Sequence, residues 1–153
     1  MPVHAPFKLL ALLALSLSPL AAAAAALAKR DDYTWAPGSV PFDKCETEEH
    51  HAADGPSSGA PLADCLAIGD WARATQGEWI LRYTDDMWRP LQRASNGSCE
   101  VVAKTTQQTM VGNVDVADFI DSIRSEPGPT VDIMGTFGAC QAGANVDFWL
   151  RYK

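Results

Sequence analysis

The sequence predicts an α+β fold: a small disulfide-stapled sandwich, mainly one antiparallel sheet with two helices on one face. Three observations lead there. Apolar residues recur at helical spacing in two stretches and alternate with polar ones in several others. Neighbouring strands are joined by turns too short for a crossover, which restricts them to antiparallel pairing. Four cysteines, an even number, follow a strongly apolar N-terminal segment in a chain of 153 residues, the pattern of a secreted domain held by two disulfides.

The central unit runs from Val111 to Cys140. Gly112 interrupts what precedes it, Asn113 can accept a hydrogen bond from the free N–H groups of the first turn, and Asp115 sits where the helix dipole favours an anion. Val116, Phe119, Ile120 and Ile123 share one face, which predicts a helix over 113–125. Pro127-Gly128-Pro129 ends it, and Val131, Ile133 and Gly135 then alternate with Asp132, Met134 and Thr136 as a strand does.

Residues 31–59 contain Pro37-Gly38, Pro41, Asp54-Gly55-Pro56 and Ser57-Ser58-Gly59 and read as a leader with loop character, pinned at Cys45. Trp35, Val40 and Phe42 are available to lie on the domain surface. A first helix is predicted over 61–73, with Pro61 at its first position and Leu62, Cys65, Leu66, Gly69 and Ala72 on one face. The small members of that face would let it lie close to a sheet. Trp79, Leu81 and Tyr83 mark a strand, Asp85-Asp86 a turn, and 88–94 a second strand that Pro90 demotes to an edge. Asn96-Gly97-Ser98 is a hairpin turn and an N-glycosylation sequon at Asn96, leading to a third strand over 99–104. Residues 105–110 form a polar connection to the central helix.

The last strand is the clearest. Val146, Phe148 and Leu150 point towards the helices, so alternation turns Trp149 and Arg151 to the opposite face. A tryptophan beside an arginine on an exposed face has the composition of a binding hot spot, which makes Trp149 and Arg151 candidate partner-binding residues. The alternative is that 31–59 folds over that face and covers Trp149.

The N-terminus reads as a signal peptide over 1–28: Lys8 supplies the positive region, Leu9 to Leu20 the apolar stretch, and Ala26-Leu27-Ala28 a cleavage site after Ala28. Alanine drives membrane insertion far less than leucine, so the alanine-rich second half makes a poor anchor, and no stable membrane insertion is expected after cleavage. Lys29-Arg30 offers dibasic trimming after Arg30. The predicted organisation is therefore signal peptide 1–28, leader 29–44 and folded domain 45–153, secreted to the extracellular space. Of twelve basic residues, Lys8, Lys29 and Arg30 precede Asp31, so nine remain against nineteen acidic ones, a net of −10 over 123 residues. That charge, with no clustered Lys or Arg, argues against a nucleic-acid partner.

Cys45, Cys65, Cys99 and Cys140 lie too far apart for a metal site built on C-x-x-C pairs and read as two disulfides. Three connectivities are possible and the residues do not choose among them. The pairing Cys45–Cys99 with Cys65–Cys140 is preferred because each bond ties an early segment to the later half.

No catalytic motif stands out: there is no G-x-S-x-G, phosphate-binding glycine loop or H-E-x-x-H. His50 and His51 are the only histidines of the mature chain and, as neighbours on a predicted loop, cannot flank a substrate. With Glu46, Glu48 and Glu49 they form the only metal-like cluster, which reads as solvated polar chain. Asp115, Asp118 and Asp121 read as a solvated helix face. No catalytic residue, metal or cofactor is expected. A secreted hydrolase of ribonuclease or glycosidase type would require a paired-carboxylate or histidine-containing cleft. A wall carbohydrate-binding protein would require an exposed row among Trp71, Trp79, Trp88 and Trp149.

One ordered series covers roughly Cys45 to Tyr152. It comprises Pro61-Leu62-Ala63-Asp64-Cys65, Trp79, Gly97-Ser98-Cys99, Val111-Gly112-Asn113-Val114-Asp115, Phe119-Ile120, Ser122-Ile123, Gly138-Ala139-Cys140 and Phe148-Trp149-Leu150-Arg151-Tyr152. It resembles the fungal necrosis-inducing factor family, the extracellular-protein-two-like secreted effectors. Glu100 follows the third cysteine where that family tends to have an aromatic or small apolar residue, and the approach to the last cysteine is less glycine-rich around Met134. The resemblance implies an effector domain over 45–153 with a fold like that of fungal killer toxins. It also implies a virulence role on a host or competing microbe, through an unknown extracellular or host-cell partner, with cell death in some members and no established catalytic residues.

Overall fold

The computed structural model describes residues 33–53, 59–82 and 84–153, all within one compact unit. The signal peptide, its cleavage at Ala28, the Lys29-Arg30 site, the 54–58 turn and Tyr83 lie outside the described residues. The strands are β1 (Thr34–Pro37), β2 (Thr47–Ala52), β3 (Ala60–Pro61), β4 (Gly77–Leu81), β5 (Arg89–Asn96), β6 (Cys99–Lys104), β7 (Thr109–Gly112), β8 (Thr130–Val131), β9 (Ile133–Cys140) and β10 (Ala144–Tyr152). The helices are α1 (Leu62–Ala74) and α2 (Asn113–Ser122), the latter extended by a 3-10 turn over Ile123–Ser125.

The strands form a five-stranded sheet in the order β2-β9-β10-β6-β5, a three-stranded sheet β1-β4-β7 and the small pair β3-β8, and every named strand pair is antiparallel. The predicted α+β class with two helices therefore stands, and β5 holds the edge position that Pro90 demands. Phe119 of α2 meets the inner face of the large sheet, 4.1 Å from Phe148 and 6.1 Å from Phe137 between ring centres. Val146, Phe148 and Leu150 are fully buried there, as their alternation predicts.

The prediction of a loop-like leader over 31–59, with the domain starting at Cys45, is corrected. Tyr33 and Trp35 are buried, β1 pairs with β4, and β2 pairs with β9. Packing is already present ahead of Cys45, at Tyr33, whose N–H donates to the Pro90 carbonyl and whose phenol burial pushes up to about 12. Trp35, Trp71 and Trp79 cluster with ring centres 4.6 to 6.1 Å apart, joining α1 to the small sheet.

The preferred disulfide pairing is also corrected: the bonds are Cys45–Cys140 and Cys65–Cys99. Strand register explains the first, because the ladder that sets Thr47 opposite Gly138 brings Cys45 beside Cys140 when continued by two residues, and their Cα atoms lie 3.8 Å apart. The β5–β6 turn explains the second, since Asp64 accepts the Ser98 N–H at 2.8 Å and docks that turn on α1 one residue from Cys65.

Three smaller differences follow from packing. Gly69 faces the other helix rather than a sheet, and a Cβ there would come within 2.6 Å of Ile120 Cγ2. Ile68 is buried on that side while Leu62 and Leu66 are half-buried, and Pro61 caps α1 instead of entering it. The connection predicted over 105–110 runs into strand β7, because Thr109 and Met110 pair with Leu81 and Ile80.

Candidate interaction surface

The five-stranded sheet turns Trp149 and Arg151 outward on β10, as alternation predicts, and both are half-buried. Their cross-strand neighbours explain why. Arg151 lies opposite Glu100 on β6 and donates from Nε and Nη2 to the same carboxylate oxygen, at 3.0 and 2.9 Å. Its guanidinium carbon sits 5.0 Å from the centre of the Trp149 ring, a cation–π contact, and Trp149 Nε1 donates to Asp132. Trp88, just ahead of β5, meets Trp149 edge to face at 5.9 Å. Lys104 lies 5.2 Å over the Trp88 ring and ion-pairs with Asp86 at 3.0 Å and Asp147 at 3.5 Å.

The result is a two-tryptophan patch in which each ring carries a cation and each cation has an acid. Val102, opposite Trp149 in register, is fully buried although it points to this face, so the patch excludes water from it. Met87 is 59 % exposed at its rim, and Met134 is half-buried beside Trp149. The described part of the leader does not fold across the patch: β1 enters the small sheet and β2 takes the far edge of the large one. It is the turn ahead of β5 that leans on Trp149.

The other sequence candidates are placed as follows. Asn96 is exposed at the end of β5, and Gly97 takes φ 51° in the two-residue turn to β6, a conformation glycine favours. The four cysteines are all bonded. Trp71, Trp79, Trp88 and Trp149 do not form one row: Trp79 is fully buried, Trp71 packs against it, and Trp88 and Trp149 stand on the other side of the large sheet.

His50 and His51 lie on β2 rather than on a loop, and no group of three or more metal-ligating side chains forms among the described residues. His50 Nδ1 contacts Glu48 at 3.0 Å and Ser122 Oγ at 3.5 Å, so one nitrogen serves both partners. A relay of serine, histidine and acid needs the two separate ring nitrogens. Ser122 instead donates to the Phe119 carbonyl at 2.6 Å.

The reading of Asp115, Asp118 and Asp121 as one solvated face is corrected at Asp115, which is only 7 % exposed. Its carboxylate caps α2 by accepting the Gly112 N–H at 2.6 Å, and it also accepts the Lys44 and Cys45 N–H groups at 3.1 to 3.2 Å. Asn113 is not the cap. Its side-chain oxygen takes the Phe42 N–H at 2.9 Å, and its amide donates to the Ala72 carbonyl at 3.0 Å. Burial pushes the Asp115 carboxyl up to about 7, its amide donors pull the other way, and Asp43 adds to the rise through a shared hydrogen bond. A shallow cavity of about 200 Å³ opens beside it, lined by Asp43, Glu46, Glu48, Asp118 and Phe137 among others. Asp118 and Asp121 do sit at the surface, paired with Arg73.

The model of one protein family, Hce2, described as "Pathogen effector; putative necrosis-inducing factor", matches residues 44–141. The chain belongs to the Hce2 family. Among curated proteins, no sequence matches it. The Hce2 match runs from Lys44, held by Asp115, to the residue after Cys140, so it contains all four cysteines and the whole 45–140 ring. Trp88 and β6 fall inside the matched region; Trp149 and Arg151 fall beyond it. Sequence reasoning reached Trp149 and Arg151 through alternation but missed Trp88, Lys104 and Glu100 as their neighbours. The signal for Glu100 was an acid near the start of an otherwise apolar strand; its arginine partner comes only from the β6–β10 register.

Proposed function

We propose that this Hce2 protein is a secreted fungal effector that binds a partner on a host or competing organism and triggers cell death there. Membership of the pathogen-effector family carries the reading, and the disulfides are consistent with an extracellular life. The signal-peptide pattern of 1–28 supports export. The protein acts by binding rather than by catalysis, and its contact surface is the patch of Met87, Trp88, Met134, Trp149 and Arg151.

A protein partner suits this patch better than a wall polysaccharide does. Sugars stack on a free aromatic face, whereas Arg151 and Lys104 each lie over one of the two rings. A partly desolvated tryptophan and arginine rimmed by exposed methionine is the make-up of a protein hot spot.

The test is infiltration of purified protein into plant leaves, alongside pull-downs on plant and fungal wall polysaccharides. Trp149→Ala keeps both disulfides and folds, with a stability loss of about 1–2 kcal/mol from the lost Trp88 contact. It should abolish cell death or partner capture. Full activity in the folded variant refutes the contact surface, and retention on polysaccharide that the variant loses favours a carbohydrate ligand.

A further inference from the structure

The two edges of the five-stranded sheet are built differently. At β5 the ladder breaks between Pro90 and Ser95, Arg93 takes φ 71°, and Tyr33 bridges Leu91, so that edge is interrupted and partly filled. β2 keeps an unbroken six-residue register against β9 and carries no proline, lysine or bulge; its guards are the carboxylates of Glu48 and Glu49, each beside a histidine of the same strand. Among the described residues nothing pairs with its free side. The Ala53 N–H donates to the Asp132 carbonyl at 2.8 Å, so along this ladder the odd-numbered residues bond to β9. The N–H and C=O groups of Glu48, His50 and Ala52 therefore point outward.

We propose that β2 pairs with β2 of a second copy of this chain, antiparallel about a two-fold axis through His50. An axis perpendicular to the sheet keeps outer face with outer face, so residues opposite each other must share the same parity. Centring on His50 sets Glu49 opposite His51 and His51 opposite Glu49, both on the outer face, with Glu48 opposite Ala52. The strand's own sequence thus supplies two carboxylate–imidazole pairs from side chains that are exposed in one copy alone. Centring on Glu49 instead sets two carboxylates against each other and leaves His51 opposite Thr47. The same axis sets His50 opposite His50 on the inner face, where each ring lies 3.0 Å from its own Glu48 carboxylate, so the facing imidazoles come with two balancing acids.

Acidification strengthens this pairing, because histidine is the side chain that gains charge in the mildly acidic range. On the outer face Glu49 and His51 look onto Thr136 and Met134 of β9, then Asp147 and Trp149 of β10, with Asp132 beyond. On the inner face His50 meets Glu48, Ser122 and Phe119, and Asp118 lines the cavity beside Glu48. The cations near this set are each paired already: Lys104 with Asp86 and Asp147, Arg151 with Glu100, and Arg73 with Asp118 and Asp121. Proton uptake on β2 therefore removes repulsion between two acidic copies as well as charging the pairs. A six-residue edge contact is far smaller than a standard interface, so the dimer is weak and depends on concentration.

Sedimentation equilibrium of the protein purified from the medium of a secreting host, at about pH 5.5 and about pH 8, tests this. Dimer is expected at the lower pH and monomer at the higher one, at the same protein concentration. Ala52→Pro removes only an outward N–H and leaves the β9 ladder intact; it should weaken the dimer at least about tenfold with the melting temperature unchanged. His51→Glu should do the same, and the exchange Glu49→His with His51→Glu should restore dimerisation. A monomer at both pH values, or a dimer that His51→Glu leaves unchanged, overturns the proposal. Should Ala52→Pro lower the melting temperature, the His51→Glu and exchange variants decide alone.

Discussion

Asp115 does three jobs with one carboxylate: it caps α2, holds the 44–45 backbone, and shares a hydrogen bond with Asp43. The tight entry of the chain here is visible at Gly112, where any Cβ would strike the Phe42 carbonyl oxygen. Replacing Asp115 with alanine leaves buried amides without an acceptor and should cost about 2–3 kcal/mol in denaturant unfolding. The group also makes stability depend on pH. Its carboxyl titrates near 7 in the folded chain against 3.8 when unfolded, so between those values the native state holds the extra proton. The free energy of unfolding therefore falls as pH rises through that window, and this contribution is fully present only below it. Urea midpoints measured across the window should decline for the native sequence and lose that slope in Asp115→Asn; a rising midpoint would contradict the assignment. The sequence placed Asp115 in the first turn of α2, where an anion is favoured, but not its burial or its partners, because Asp115, Asp118 and Asp121 repeat at three-residue spacing. What separates them is Lys44 and Cys45, some seventy residues away.

At the scale of elements, the parts that could be read were those with a strong period. α2 and β10 each turn an apolar face to a single core, and their patterns survive in the sequence. β1 and β2 could not be read for opposite reasons. Thr34–Pro37 is too short to show alternation, and Thr47–Ala52 is an edge strand with no buried residue at all. The disulfide pairing was hidden with them, since Cys45 finds Cys140 only through the β2–β9 register. That bond spans 95 residues and the Cys65–Cys99 bond 34. In the chain-entropy model the longer loop contributes about 4–5 kcal/mol and the shorter about 4 kcal/mol. Replacing Cys45 and Cys140 together by serine should lower the unfolding free energy by about 4 kcal/mol. A change below about 1 kcal/mol would mean that β2 is held by its ladder alone.

For the whole molecule, membership of a pathogen-effector family and a frame of two disulfides meet in one chain. The Cys45–Cys140 bond has one consequence for a protein of that kind. It closes residues 45–140 into a covalent ring, with β1 on one tail and β10 on the other, each laid back onto the ring as a sheet strand. A protease that cuts the backbone once anywhere inside the ring opens it without releasing a fragment. Singly nicked protein should therefore run as one band on a non-reducing gel and as two after reduction. A single cut between residues 45 and 140 that frees a fragment without reductant would show the ring to be open in the native protein. With the ring closed, the two halves left by a cut stay joined for as long as the sulfur bonds hold, whatever becomes of the backbone between them.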